Sequence, residues 1–200
     1  MTYTKSATTL ALIGLLGVSL SACGGTAASS PTAPTAQAVT ASPAAAESGK
    51  SPRGNIIKEV GQGAGITDPT HDNKEVVNFV VNSIKPGKCT EQYAQAPKNG
   101  NIVIVDVTVE TKPELADAIM SSYRMSGHDW KFVAANGTTF NGSLGTSSFG
   151  CLPDAATFPS AGMGPGEKIT AKVVLDVPQP HGILVLKEPF SNTNGWEYKF

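Results

Sequence analysis

Asn101–Thr111 reads NIVIVDVTVET, the clearest side-chain pattern in the chain. Val103, Val105, Val107 and Val109 fall on one side, with Asp106, Thr108 and Glu110 on the other. A period of two carried by β-branched residues marks a strand with one buried and one solvated face. A helix, repeating about every 3.6 residues, would scatter the same valines around its circumference. The segment predicts a strand whose valine face lines a core.

The same alternation recurs on either side. Residues 75–84 (EVVNFVVNSI) place Val77, Phe79 and Val81 on one face and Asn78 and Asn82 on the other. Lys168–Val177 alternates Ile169, Ala171, Val173, Leu175 and Val177 against polar residues. Residues 130–134 form a shorter run that meets Asn136-Gly137, a strong hairpin signal, with residues 138–140 returning from it. Ile183–Lys187 and residues 196–200 complete the set, the last with Trp196, Tyr198 and Phe200 on one face. Gly61-Gln-Gly-Ala-Gly65, Lys85-Pro-Gly-Lys88 and Gly162-Met-Gly-Pro-Gly166 read as turns between strands. One segment breaks the pattern. Thr111-Lys-Pro-Glu114 has the form of a capping box, and Leu115, Ala118 and Ile119 follow at helical spacing. One short helix is predicted from Pro113 to about Tyr123. Strands separated by turns, without strand–helix alternation, imply an all-β antiparallel β-sandwich.

The N-terminus carries an address. Lys5 precedes an apolar run from Leu10 to Leu20. At about eleven residues it is shorter than the roughly twenty that span a bilayer, and it fits a signal peptide. The run closes on Leu20-Ser21-Ala22-Cys23, which looks like a bacterial lipobox. Residues 1–22 are therefore expected to be removed, and the Cys23 thiol to carry a lipid that holds the chain on the extracytoplasmic face of the cell membrane. Two fatty chains suffice for stable anchoring where one is marginal. Residues 23–54 are rich in Ala, Ser, Thr and Pro with few large apolar side chains. They predict a disordered tether reaching about 30 Å. Residues 55–200 remain as one domain, long enough to bury a core.

Composition narrows the function further. A net charge of -1 with 16% charged residues provides no basic footprint for nucleic acid. It also provides little attraction to anionic lipid, which leaves anchoring to the fatty chains. Of the three cysteines, Cys23 is taken by lipid, and Cys89 and Cys151 are left to pair outside the cytoplasm. Closing a loop of about sixty residues is worth about 4 kcal/mol in the chain-entropy model. Without a C-x-x-C spacing, this pair reads as structural rather than redox-active.

The candidate chemistry is sparse. Residues 56–65 bring three glycines after a possible strand, but Ile66-Thr-Asp-Pro69 stands where a phosphate-binding helix would begin. His71 and His128 are each followed by an aspartate, Asp72 and Asp129, a pairing found in metal sites and general-base relays. They and His181 lie far apart in predicted loops and read as solvated. No G-x-S-x-G elbow is present. The reading assigns no catalytic residue, no metal ligand and no cofactor.

The residues just named also carry a family resemblance. Lys58-Glu-Val-Gly61, residues 75–84 and 102–111, and residues 130–140 with their Asn-Gly turn belong to it. So does Gly164-Pro-Gly-Glu-Lys168 leading into Val173-Val-Leu-Asp-Val-Pro178, closed by the terminal aromatic strand. Over about residues 55–200 the chain resembles Gram-positive lipoproteins of unknown function that share the immunoglobulin-like fold of the actinobacterial immunoprotective extracellular antigen. The resemblance implies an immunoglobulin-like sandwich and carries over no catalytic set. The leading expectation is a lipid-anchored surface protein, not an enzyme. It would bind an envelope protein or a small ligand through the loops of residues 85–100, 126–130 and 141–165. A second reading, a small hydrolase or metal-dependent enzyme, requires His71 and His128 to converge to within about 5 Å. A third is an envelope spacer or accessory subunit with no ligand of its own.

Overall fold

The alternating segments form eight strands in a computed structural model that describes residues 49–187 and 195–200. The signal peptide, Cys23 and residues 23–48 of the tether lie outside the described residues. The strands are β1 (Ile56–Ile57), β2 (Gly63–Asp68), β3 (Lys74–Pro86), β4 (Asn101–Thr111), β5 (Trp130–Val133), β6 (Lys168–Val177), β7 (Ile183–Lys187) and β8 (Gly195–Lys199). They make two four-stranded sheets, in the orders β1-β8-β7-β5 and β2-β3-β4-β6. All pairings are antiparallel except that of β1 with β8.

The architecture is the expected β-sandwich. The β4 valines are 0–1% exposed, so each contributes about 1.5–3 kcal/mol of apolar burial. They pack with Val77, Phe79 and Val81 of β3 and Val173, Leu175 and Val177 of β6 in one core. Leu184, Leu186, Phe132, Trp196 and Tyr198 supply the facing layer. Phe79 meets Trp196 edge to face, ring centroids 4.9 Å apart, and so joins the two layers. Consecutive β3 and β4 stay neighbours, while β5 and β7 leave the sheet that β4 and β6 share.

Three expectations are corrected. Pro113–Asp117 is a 3-10 helix and stops there. The Thr111 hydroxyl does not cap it. It donates to Gly164 O at 2.6 Å and accepts from Glu167 N–H at 2.8 Å, which leaves the first turn without a side-chain cap. Leu115 alone supplies the buried anchor, and Ile119 stays exposed. Second, Gly63 and Gly65 belong to β2 rather than to a turn. The inward alternation is Ala64, Ile66, Asp68, a pattern hidden by two glycines and a charge. Third, residues 49–54, assigned by composition to the tether, are part of the fold. Ser51 and Asn55 are each 7% exposed, and Lys50 bridges to Ile56. The Asn136-Gly137 turn forms: Gly137, at φ 87°, donates to Ala134 O at 2.8 Å, and Phe140 N–H returns to Phe132 O.

Candidate functional site

Residues 87–100 connect β3 to β4 and are fastened at both ends. At the first, Gly87 N–H donates to Ile102 O at 2.9 Å. Gly87 lies against Ile104, whose side chain occupies the space a Cβ would need. Cys89 is then bonded to Cys151, with Cα atoms 4.4 Å apart, and Thr90 N–H donates to Cys151 O at 2.8 Å. Cys89 and Cys151 thus form the expected pair.

At the far end the fastener is Asp176. It lies on the outward side of β6, opposite Leu175 and Val177, yet is fully buried. Its carboxylate accepts Lys98 N–H at 2.6 Å and Asn99 N–H at 3.1 Å. The Asn99 side-chain amide donates to Asp176 O at 2.7 Å and Ser143 O at 2.9 Å. A buried carboxylate is tolerated when backbone donors satisfy its lone pairs, and these bonds are the charge-assisted kind. Beneath the loop, Ile102, Cys151, Leu152 and Val174 form a second apolar cluster on the outer face of the sheet. The disulfide, this cluster and Asp176 together roof a face that a lone sheet would leave to solvent.

The loop walls a cleft of about 590 Å³, within the usual range for small-molecule sites. Lys88, Glu91, Gln95 and Asn101 bring polar groups to it, and Ile102 and Pro180 bring apolar surface. Tyr93 on this loop is 88% exposed, and Phe149 on the disulfide-linked loop is 90% exposed. Most of the cleft wall comes from residues 85–100, one of the three loop regions singled out from the sequence, and Asn101, Ile102, Val103 and Pro180 complete it.

The histidines do not pair with the aspartates that follow them, Asp72 and Asp129. His71 Nδ1 lies 2.8 Å from Asp68 Oδ2, not on Asp72. The buried Asp68 carboxylate also accepts the Thr70 hydroxyl at 2.7 Å, Thr70 N–H at 2.8 Å and Ile119 N–H at 3.2 Å. The Thr70 hydroxyl and these further bonds hold the carboxyl well below its usual range against the opposing effect of burial. Asp72 and Asn73, both at φ 54°, make the β2–β3 turn, closed by Lys74 N–H to His71 O at 3.0 Å. Asp129 caps its own turn, accepting Ser126 N–H at 2.7 Å and the Ser126 hydroxyl at 2.9 Å. His128 Nδ1 instead faces Ser143 Oγ at 3.2 Å, and His181 is exposed.

Register separates His71 from His128. Gly127 packs on Val174 so closely that a Cβ would meet its carbonyl at 2.8 Å. Val174 pairs with Ile104, and Ile104 with Lys85. His71 lies beyond Lys74, at the other end of β3. Roughly 30 Å of strand intervenes at about 3.3 Å per residue, far from the contact a shared site needs. Among the described residues, no group of three or more His, Cys, Asp or Glu side chains is arranged to hold a metal ion.

Glu197 is a feature the sequence reading missed. It points outward from β8, between Trp196 and Tyr198, and is 4% exposed. Arg53 donates to both of its carboxylate oxygens, Nε to Oε1 at 2.8 Å and Nη2 to Oε2 at 2.7 Å. Ser51 Oγ at 3.0 Å and Asn55 Nδ2 at 2.7 Å also donate to Oε1. Burial, the largest single influence, raises the carboxyl, and the bonds from Arg53, Asn55 and Ser51 together overcome it and hold it below its ordinary value. The signal was the alternation Ser51, Arg53, Asn55, a polar period of two at the head of the domain.

No family model matches the chain. No curated protein matches it either. Two solved structures are similar. One is MPT63, a secreted protein from Mycobacterium tuberculosis, 21% identical, covering 72% of this chain and 97% of that one, with a TM-score of 0.43. The other is YcdA from Bacillus subtilis, assigned by name as a lipoprotein, 8% identical, covering 69% of this chain, with a TM-score of 0.40. This chain spans 38% of the YcdA chain.

Proposed function

We propose that the chain is a lipid-anchored, extracytoplasmic, non-catalytic binding protein that holds an envelope component at its disulfide-linked loops. The observation that carries this reading is the cleft of about 590 Å³ behind residues 87–100, a loop held by a disulfide at one end and by Asp176 at the other. A loop made rigid at both ends spends less entropy on ordering when it binds. The lipobox at Cys23 and the tether supply the location. The wide separation of His71 and His128 removes the support for a histidine-based enzyme.

Two measurements test the reading. Mass spectrometry of the mature N-terminal peptide should find Cys23 carrying a diacylglyceryl group, and an unmodified thiol there would overturn the anchoring. The unlipidated Cys23→Ser chain should be retained by isolated envelopes of the cells that express it. Replacing residues 92–95 with Gly and Ser should abolish that retention. Equal retention of both chains would remove the loop as the binding element.

A further inference from the structure

The chemistry of the two linked loops narrows what they hold. Tyr93 lies four residues from Cys89 and Phe149 two from Cys151, and the disulfide joins their loops. Thr90 and Glu91 N–H both reach Cys151 O, so the chain path limits the two aromatic Cα atoms to within about 20 Å of each other. At 88% and 90% exposure these rings contribute little to the core. Apart from Glu91, their neighbours are uncharged: Thr90, Gln92, Ala94 and Gln95 on one loop, and Thr146, Ser148, Gly150 and the buried Ser147 on the other. The two charged side chains in the cleft wall, Lys88 and Glu91, are of opposite sign.

From this combination we infer that the cleft, together with the exposed aromatics of the two linked loops, binds an uncharged saccharide of the envelope, with sugar rings stacked on Tyr93 and Phe149. The inference rests on the loop-binding reading above. A pyranose presents polarised C–H bonds on its faces and hydroxyls around its rim. The C–H faces suit the electron-rich face of an aromatic ring, and the hydroxyls suit Gln95 and Asn101 in the cleft. A phosphorylated or strongly acidic ligand would want a cationic excess that the wall does not offer. An anionic membrane surface would want clustered Lys and Arg beside the aromatics, where Lys88 is offset by Glu91. A protein interface would want a contiguous apolar core around its anchors. Among the described residues the other exposed large hydrophobics, Ile56, Ile57, Val60 and Ile119, lie on other segments.

The test uses the full-length Cys23→Ser chain with chitotetraose and with maltotetraose, followed by amide chemical shifts. At least one of the two should shift amides in residues 90–95 and 146–150. Tyr93→Ala and Phe149→Ala should each weaken binding about tenfold, and Tyr93→Phe should leave it within about twofold. Both aromatics are exposed, so the variants should melt at the parental temperature, which separates lost binding from lost fold. The same saccharide in excess should release the chain from envelopes. Absence of shifts with both saccharides would overturn the inference, as would binding indifferent to both alanine substitutions. Loop-dependent retention by envelopes that neither saccharide displaces would also overturn it while leaving the loop-binding reading standing. So would binding to phosphatidylglycerol vesicles in place of the saccharides.

Discussion

Glu197 and Asp176 sit on the two opposite outer faces of the sandwich, and each fastens a remote segment with a buried carboxylate. Glu197 holds residues 51–55, some 142 to 146 positions away, through side chains: a guanidinium, a hydroxyl and an amide. Asp176 holds residues 98–99 chiefly through backbone N–H groups. The first device depends on which residues the arm carries. The second accepts any residue whose backbone can reach it, and it is backed by a disulfide at the other end of the same loop. The arm is thus fixed by sequence-specific recognition and the cleft loop by geometry, which leaves the loop's own side chains free for a ligand.

The largest effect should come from the cleft side. Replacing Cys89 and Cys151 together with Ala should cost about 4 kcal/mol, since the loop they close has a sequence separation of 62. Denaturant unfolding would measure it. A loss below about 1 kcal/mol would show that the hydrogen bonds of Gly87, Thr90 and Asp176 hold the loop without the disulfide.

Asp176→Ala should cost about 2–3 kcal/mol, because it strands Asn99 N–H and leaves Lys98 N–H only its 3.3 Å bond to the Ser147 hydroxyl. Hydrogen exchange should accelerate at Lys98 and Asn99 while residues 51–58 stay protected. Acceleration at both sites would mean that the two fasteners are coupled and the comparison fails.

Glu197→Gln should cost less, about 1–2 kcal/mol, since Arg53 is partly exposed and water takes over some of its pairing. The exchange pattern should be the mirror image, with the arm loosened and the loop intact.

Acid sharpens the same contrast. The Glu197 carboxyl titrates below its ordinary 4.5 in the folded chain. Its stabilisation is therefore complete above that value and is lost as pH falls through the lower, folded one. Asp68 is depressed in the same sense. The melting temperature should fall below about pH 4.5, and Glu197→Gln should flatten part of that fall. An unchanged slope would mean that the arm contributes nothing to acid stability.

The smallest effect tests the core. The Tyr198 hydroxyl and Trp130 Nε1 are buried without a hydrogen-bond partner among the described residues, and burial pushes the phenol up. Tyr198→Phe should be neutral or stabilising by up to about 1 kcal/mol. A loss of that size would show that the hydroxyl has a partner.

Residues 101–111 and 168–177 were legible because alternating β-branched side chains report directly which side of a strand faces the core. Residues 63–68 were not, because glycines and an inward aspartate carry no apolar signal. The capping box at Thr111 misled for a related reason. Its hydroxyl had a competing partner 53 positions away at Gly164, invisible to a local pattern. The histidines were readable as residues but not as partners. His71 chose Asp68 over the adjacent Asp72 because the turn commits Asp72 to a left-handed backbone conformation.

Alternation along the chain was enough to place β3 to β8 and the face of each that lines the core, and counting cysteines was enough to pair Cys89 with Cys151. All of these follow from side-chain chemistry repeated over a few residues. What covers the outward faces is a matter of long-range folding. Periodicity says which way Asp176 and Glu197 point, not whether a segment tens of residues distant comes to lie over them. That depends on long-range packing, and it turned two nominally solvated carboxylates into the fasteners of the arm and of the cleft.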